Sequence, residues 1–233
     1  MVTTQQLPLP IGKYGAPSFE SYYRTEANYE PVVATERCGK GEGDRFLYLW
    51  GSSGVGKTHL LLSTCRIAAQ RGERVVYIPL KRADKIAPEI LQGLETTALI
   101  AIDDIDCIAH HQCWEEALLR FYNLVRKSFT RLLLTSSDKP SALNLLLPDL
   151  RSRLEWALIY QLQPLNDGQK HAALKLQAEK RGMELSDEVT DFLLRHSARD
   201  MHSLSHLLME LERASMAAQR RVTIPFARQI LGI

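Results

Sequence analysis

The chain carries little cysteine, no block of like charge and no long apolar run, and each scarcity removes a class of protein. Its four cysteines, Cys38, Cys65, Cys107 and Cys113, form no Cys-x-x-Cys pair, which argues for reduced thiols rather than a disulfide frame. The formal charge is +2 without a lysine or arginine cluster, so composition gives no ground for a nucleic-acid surface. No stretch approaches the roughly 20 apolar residues of a membrane span. The first residues lack the basic start and apolar core of a secretory signal, and a cytoplasmic location is the expectation. What remains is 233 residues, 45% hydrophobic and 24% charged, enough for one large domain or a medium domain with a small companion.

Gly51-Ser52-Ser53-Gly54-Val55-Gly56-Lys57-Thr58 fits the pattern G-x-x-x-x-G-K-[ST] at every fixed position. Phe46-Leu47-Tyr48-Leu49-Trp50 before it is an apolar run of strand length, and Leu60, Leu61, Leu62, Cys65, Ile67 and Ala68 after it recur at helical intervals. Strand, glycine loop and helix come in the order that a phosphate cradle requires. Glycines let successive amide N–H groups turn inward, and the new helix adds partial positive charge at the same place. Lys57 supplies a point charge for β and γ phosphates and Thr58 a hydroxyl ligand for Mg2+.

Ala98-Leu99-Ile100-Ala101-Ile102-Asp103-Asp104 is the second decisive stretch. A continuous apolar run suits a strand buried on both faces of a parallel sheet, and ligands of such sheets bind beyond the carboxyl ends of the strands. Asp103 is thereby a candidate to hold Mg2+ and Asp104 to polarise an attacking water. Arg131 to Ser136 reads as another buried strand, whose polar tip Ser136-Ser137-Asp138 could reach a γ-phosphate or merely end the strand. Arg74 to Pro79 and Ile159 to Leu162 complete five strands. Helical patches are expected over Ile86–Leu94 and Trp114–Phe129. A short helix is expected from Pro148, with Arg151 and Arg153 near its end. Cys107-Ile108-Ala109-His110-His111-Gln112-Cys113 has metal-like residues but no second cluster at a familiar spacing, and is read as structural.

Upstream, Phe19, Tyr22, Tyr23 and Tyr29 are candidates to line a base pocket, and core burial explains them equally well. Beyond Pro164 every segment is helical without internal repeat, with Gly182 as a stop and Ser186 as a start, which reads as a small helical bundle. At the N-terminus, Pro8 and Pro10 forbid a helix and extend the chain. Gln6, Leu7, Leu9 and Ile11 then form either a docking peptide or a disordered end.

The order of phosphate loop, carboxylate-tipped strand, polar-tipped strand, paired-arginine helix and terminal helical lid resembles the AAA+ ATPases. Gly54-Val55-Gly56-Lys57-Thr58-His59-Leu60-Leu61, Ile102-Asp103-Asp104-Ile105 and Leu134-Thr135-Ser136 resemble more closely the family of the bacterial replication initiator DnaA. The likeness covers nearly the whole chain after Phe19. Initiators carry a helix-turn-helix DNA-binding domain after the lid, whereas this chain ends at Ile233. Gln6-Leu7-Pro8-Leu9-Pro10-Ile11 is similar to peptides that dock on the replicative sliding clamp, so the resemblance is to DnaA-related regulators that inactivate the initiator.

That resemblance implies an α/β AAA+ phosphate-loop domain with a parallel sheet flanked by helices, plus a C-terminal helical lid. The implied divisions are a clamp-docking peptide over 1–16, a nucleotide-binding subdomain over 17–163 and a lid over 164–233. Gly51 to Thr58, with His59, Tyr22 and His202, would bind ADP or ATP, and Thr58 and Asp103 the Mg2+. Arg153 would be the arginine finger acting on a neighbour's nucleotide, with Asp104 and Ser137 near the attacking water. His202 stands where the family places a sensor arginine, with Arg199 three residues upstream, so a diphosphate should be held well and the chain's own turnover should be slow. The implied partners are DnaA, the sliding clamp and, through the clamp, DNA; no membrane is implied. Both a monomer and a homo-oligomer fit. The competing expectation is an autonomous AAA+ ATPase that loads or remodels a replication protein.

Overall fold

A computed structural model describes residues 16–197 and 200–233 of the chain. The proposed docking residues Gln6, Leu7, Leu9 and Ile11, and Arg199, lie outside the described residues.

Five parallel strands, β1 (Phe46–Trp50), β2 (Val75–Pro79), β3 (Leu99–Asp103), β4 (Arg131–Ser136) and β5 (Leu158–Gln161), form one sheet in the order β2-β3-β4-β1-β5. The central strands β3 and β4 are buried along their whole length, which is why they read as continuous apolar runs rather than alternating ones. Alternation of side chains still divides the core. Tyr48, Ile100, Ile102, Leu132 and Leu134 face one side, against α3 (Gln112–Val125) and α4 (Pro148–Leu154). Leu47, Leu49, Leu99, Ala101 and Leu133 face the other, against α1 (Tyr29–Gly39) and α2 (Lys57–Gln70).

The helix expected over Ile86–Leu94 is instead two 3-10 turns, Pro88–Leu91 and Leu94–Thr96. Pro88 keeps Ala87 extended and Gly93 sits at φ 75°, so no α-helix can run through the segment. Helix α3 begins two residues before Trp114 and stops at Val125, whose carbonyl accepts from Ser128 Oγ at 2.9 Å.

After the sheet, α5 (Asp167–Glu179), α6 (Asp187–His196), α7 (Met201–Ala218) and α8 (Ile224–Leu231) enclose their own apolar core around Leu174, Leu193, Leu204, Leu208 and Leu211. Each starts on a side-chain cap: Asn166, Ser186, Asp200 and Thr223. Gly182, at φ 73°, turns the chain between α5 and α6, as expected. At the junction with the sheet, Asn28 brackets Gln163 by donating to its carbonyl at 2.9 Å and accepting from its amide at 2.8 Å.

Candidate functional site

The glycine loop leaves β1 and enters α2 with Gly51, Gly54 and Gly56 at φ 151°, 75° and 100°, a region that L side chains avoid. A Cβ on Gly51 would stand 2.7 Å from the Leu162 carbonyl oxygen, one on Gly54 3.0 Å from Asp200 Cβ and one on Gly56 2.8 Å from Tyr22 Cε2. The loop is therefore walled by the end of β5, by the N-cap of a lid helix and by the upstream aromatic. Lys57 is buried and curls back over it, donating from Nζ to the Gly51 and Ser52 carbonyls at 2.6 and 3.1 Å. Burial lowers the Lys57 pKa, against the opposing pull of Asp104, Asp106 and Asp103. Ser53 to His59 line an adjoining cleft of about 930 Å³.

Thr58 Oγ1, on the first turn of α2, donates to Asp103 Oδ2 at 2.8 Å. Tyr77 donates to the same oxygen at 3.0 Å, and Thr135 to Oδ1. Asp103 thus leaves the tip of β3 held by hydroxyls from α2, β2 and β4. The hydroxyl and carboxylate oxygens of Thr58 and Asp103 are hard ligands in mutual contact, a donor set that fits Mg2+. Asp104 follows at φ 56°, its amide tied to Thr135 Oγ1 at 2.9 Å and its carboxylate 3.3 Å from Lys81. Burial raises the Asp104 pKa, and neighbouring Asp103 adds to it. Lys81, Tyr77 and Thr135 were not marked by the sequence as site residues. They come from the middle of β2, from the 3-10 turn Leu80–Arg82 after it and from β4, and only the strand order brings them to Asp103 and Asp104.

Of the four upstream aromatics, Tyr22 and Tyr23 line the cleft, Phe19 is in the core and Tyr29 is 58% exposed elsewhere. Tyr22 meets the His59 ring edge-on at 5.4 Å, and burial pushes its hydroxyl pKa up to about 12. His59 Nε2 donates to the Ser18 carbonyl at 2.8 Å. The lid supplies the opposite wall with His202, Met201 and the buried ion pair Arg181–Glu212 at 3.0 Å.

Ser137 and Arg153 are not among the residues that line this cleft. Ser137 is exposed and donates to Asp106 Oδ2 at 2.9 Å and Asp138 Oδ2 at 3.1 Å. Burial alone would raise the Asp106 pKa, but bonds from Ser137 and Ser136 hold it below the usual carboxylate value. Ser137 therefore orders Asp106 rather than facing the loop. Arg153, in the last turn of α4, stacks its guanidinium 4.2 Å from the Trp156 ring centre. It pairs with neither Asp149 nor Glu155, and its Nε is buried without a partner.

In the segment with metal-like residues, Cys107 and Cys113 are exposed thiols and His110 Nε2 lies 3.0 Å from Asn144 Nδ2. Among the described residues no helix is long and apolar enough to cross a membrane.

Residues 16–161 match the family described as the bacterial DnaA ATPase domain, and residues 167–231 match the Hda lid domain. Among solved structures, domain III of the Thermotoga maritima replication initiation protein DnaA is similar, with TM-score 0.76 and 21% identity over 96% of this chain and 98% of that one. AMPPCP-bound DnaA from Aquifex aeolicus matches with TM-score 0.69 and 20% identity over 85% of this chain and 65% of that chain. The Thermotoga maritima RuvB Holliday junction branch migration motor has the same fold at TM-score 0.66 and 17% identity, covering 94% and 73%. With a phosphate loop, a carboxylate-tipped third strand and a matching lid, the chain belongs to the bacterial DnaA ATPase-domain family and is a DnaA-related AAA+ protein of the Hda type.

Proposed function

We propose that this chain holds an adenine nucleotide in the cleft between sheet and lid and, docked on the DNA-loaded sliding clamp, presents Arg153 to the ATP of DnaA. DnaA then hydrolyses its ATP and re-initiation of replication is limited. The observation that carries this reading is the position of Arg153. Trp156 lies two residues before β5, whose first residue, Leu158, pairs with Leu47 near the start of β1. The phosphate loop leaves the other end of β1, about 13 Å away at the rise of a strand. Arg153 is absent from the residues that line the chain's own cleft. An arginine so placed serves a nucleotide on a neighbour, where a planar, permanently charged guanidinium stabilises charge developing on the transferred phosphoryl group.

In the cleft, Lys57 and the loop amides would bind phosphates, while Thr58 and Asp103 would hold Mg2+, which when bound neutralises phosphate charge. Tyr22, His59 and His202 would contact the rest of the nucleotide. A histidine in place of a permanently charged sensor weakens discrimination for a triphosphate, which supports an ADP-bound working form with slow turnover. Clamp docking rests on Gln6, Leu7, Leu9 and Ile11, as an extended peptide with apolar anchors.

The autonomous ATPase reading keeps one observation in its favour: Lys57, Thr58 and Asp104 line the chain's own cleft, and Asp103 is bonded to Thr58 just behind them. Arg153→Ala separates the two. Loss of DnaA turnover with clamp and DNA present, at unchanged solitary turnover, is expected; an equal fall in solitary turnover favours the autonomous enzyme. Deleting residues 1–12 is expected to abolish clamp binding and spare nucleotide binding.

A further inference from the structure

Trp156 carries two arginines, not one. The guanidinium of Arg126, at the end of α3, lies 4.1 Å from the same indole centre that Arg153 approaches to 4.2 Å. The ring is 51% exposed, and neither arginine has a carboxylate partner among the described residues. Two permanent like charges gathered on one side chain repel each other, and that repulsion is relieved when an anion joins them. The indole face offsets part of it in the free protein and fixes the plane of each guanidinium, since both groups are flat and stack. In this stacked pose Arg153 Nε is buried and has no hydrogen-bond partner among the described residues.

We propose that Arg126, Trp156 and Arg153 form a clamp for the phosphate chain of a nucleoside triphosphate carried by a neighbouring subunit. Trp156 is the positioning residue that aims Arg153, and Arg126 supplies a second positive charge to the same phosphates. This rests on the trans reading of Arg153. The arrangement is built by tertiary structure: the C-cap of α3 delivers Arg126, the last turn of α4 delivers Arg153, and the link into β5 delivers the ring that both approach. An indole suits the task because it holds a cation without neutralising it, whereas a carboxylate would compete with the incoming phosphate.

The test measures stimulated hydrolysis on ATP-loaded DnaA with full-length chain, clamp and DNA, titrating the chain to separate maximal rate from half-saturating concentration. Arg153→Ala is the control for the trans reading and should abolish stimulation. Trp156→Leu and Arg126→Ala should each lower the maximal rate about tenfold or more with half-saturation nearly unchanged. Trp156→Phe, which keeps an aromatic face, should retain most of the rate; nucleotide binding by each variant reports that the chain is folded. A wild-type maximum in Trp156→Leu or Arg126→Ala, with Arg153→Ala silent, overturns the clamp and leaves the trans reading standing. A rise in half-saturating concentration alone would make Trp156 a docking residue and also overturns the clamp. Full stimulation by Arg153→Ala removes the trans reading itself.

Discussion

Thr58 donates its hydroxyl to Asp103 at 2.8 Å, joining the first turn of α2 to the tip of β3. The two residues are 45 positions apart, and they meet because β3 ends level with the start of the glycine loop's helix. As the pair that would hold Mg2+, they are expected to act as a unit. Thr58→Ala should weaken nucleotide binding about tenfold with Mg2+ present and much less in chelator. Combined with Asp103→Asn the losses should not add. Calorimetric titration of the four proteins with ADP checks this; additive losses would separate the two roles.

Gly56 is a position where a single methyl group should do harm in two ways. It combines a φ of 100° with a Cβ that would stand 2.8 Å from Tyr22. Gly56→Ala is expected to lower unfolding free energy by about 1 to 3 kcal/mol. Adding Tyr22→Ala should relieve the clash and leave the backbone strain. Urea denaturation of the single and double variants distinguishes the two contributions.

Glu115 is fully buried on α3 and its carboxylate accepts from the backbone amides of His110, Leu146 and Leu147 at 3.0, 3.1 and 2.9 Å. Leu147 is the N-cap of α4, so this one side chain sets where the Arg153 helix begins. Glu115→Ala strands three donors and should cost on the order of 3 kcal/mol or more. Glu115→Gln should cost less, because one carbonyl oxygen remains. Thermal melts give the order of the three proteins, and equal melting temperatures would contradict it.

His59 should make the fold acid-sensitive. Burial lowers its pKa from 6.5 in the folded chain, so as pH falls the unfolded chain takes up the proton first. Its contribution to stability is complete above about pH 6.5 and is lost as pH falls toward the folded-state value, by no more than about 1.4 kcal/mol per pH unit. His59→Gln keeps a donor for the Ser18 carbonyl and cannot titrate. Urea midpoints at pH 7 and pH 5 should therefore drop less in the variant than in the natural chain.

Much of this site was legible because it is local. Gly51 to Thr58 is one uninterrupted motif between a strand and a helix, and Asp103 with Asp104 end a run whose apolarity marks a buried strand. Arg153 was legible only through family likeness; its spacing alone describes an ordinary helix end. Ser137 was less legible, because a hydroxyl at a strand tip reads the same whether it faces the loop or bonds Asp106, as it does here at 2.9 Å. The expected helix over Ile86–Leu94 failed because Pro88 and Gly93 outweigh an apolar period of that length.

Sequence order by itself determined the phosphate loop, the carboxylate tip, the helical character of everything beyond Pro164 and the helix start at Ser186, since each depends on backbone freedom and periodicity within one segment; the AAA+ class came from likeness to a family. Tertiary structure alone decided that β2 and β4 flank β3, which sends Tyr77, Lys81 and Thr135 to the two carboxylates. It also decided that Asp200 of the lid closes on Gly54, and that Arg126 and Arg153 share one indole. Those meetings depend on which strands are neighbours and where helices end on the sheet, and no spacing along a single chain encodes that distance.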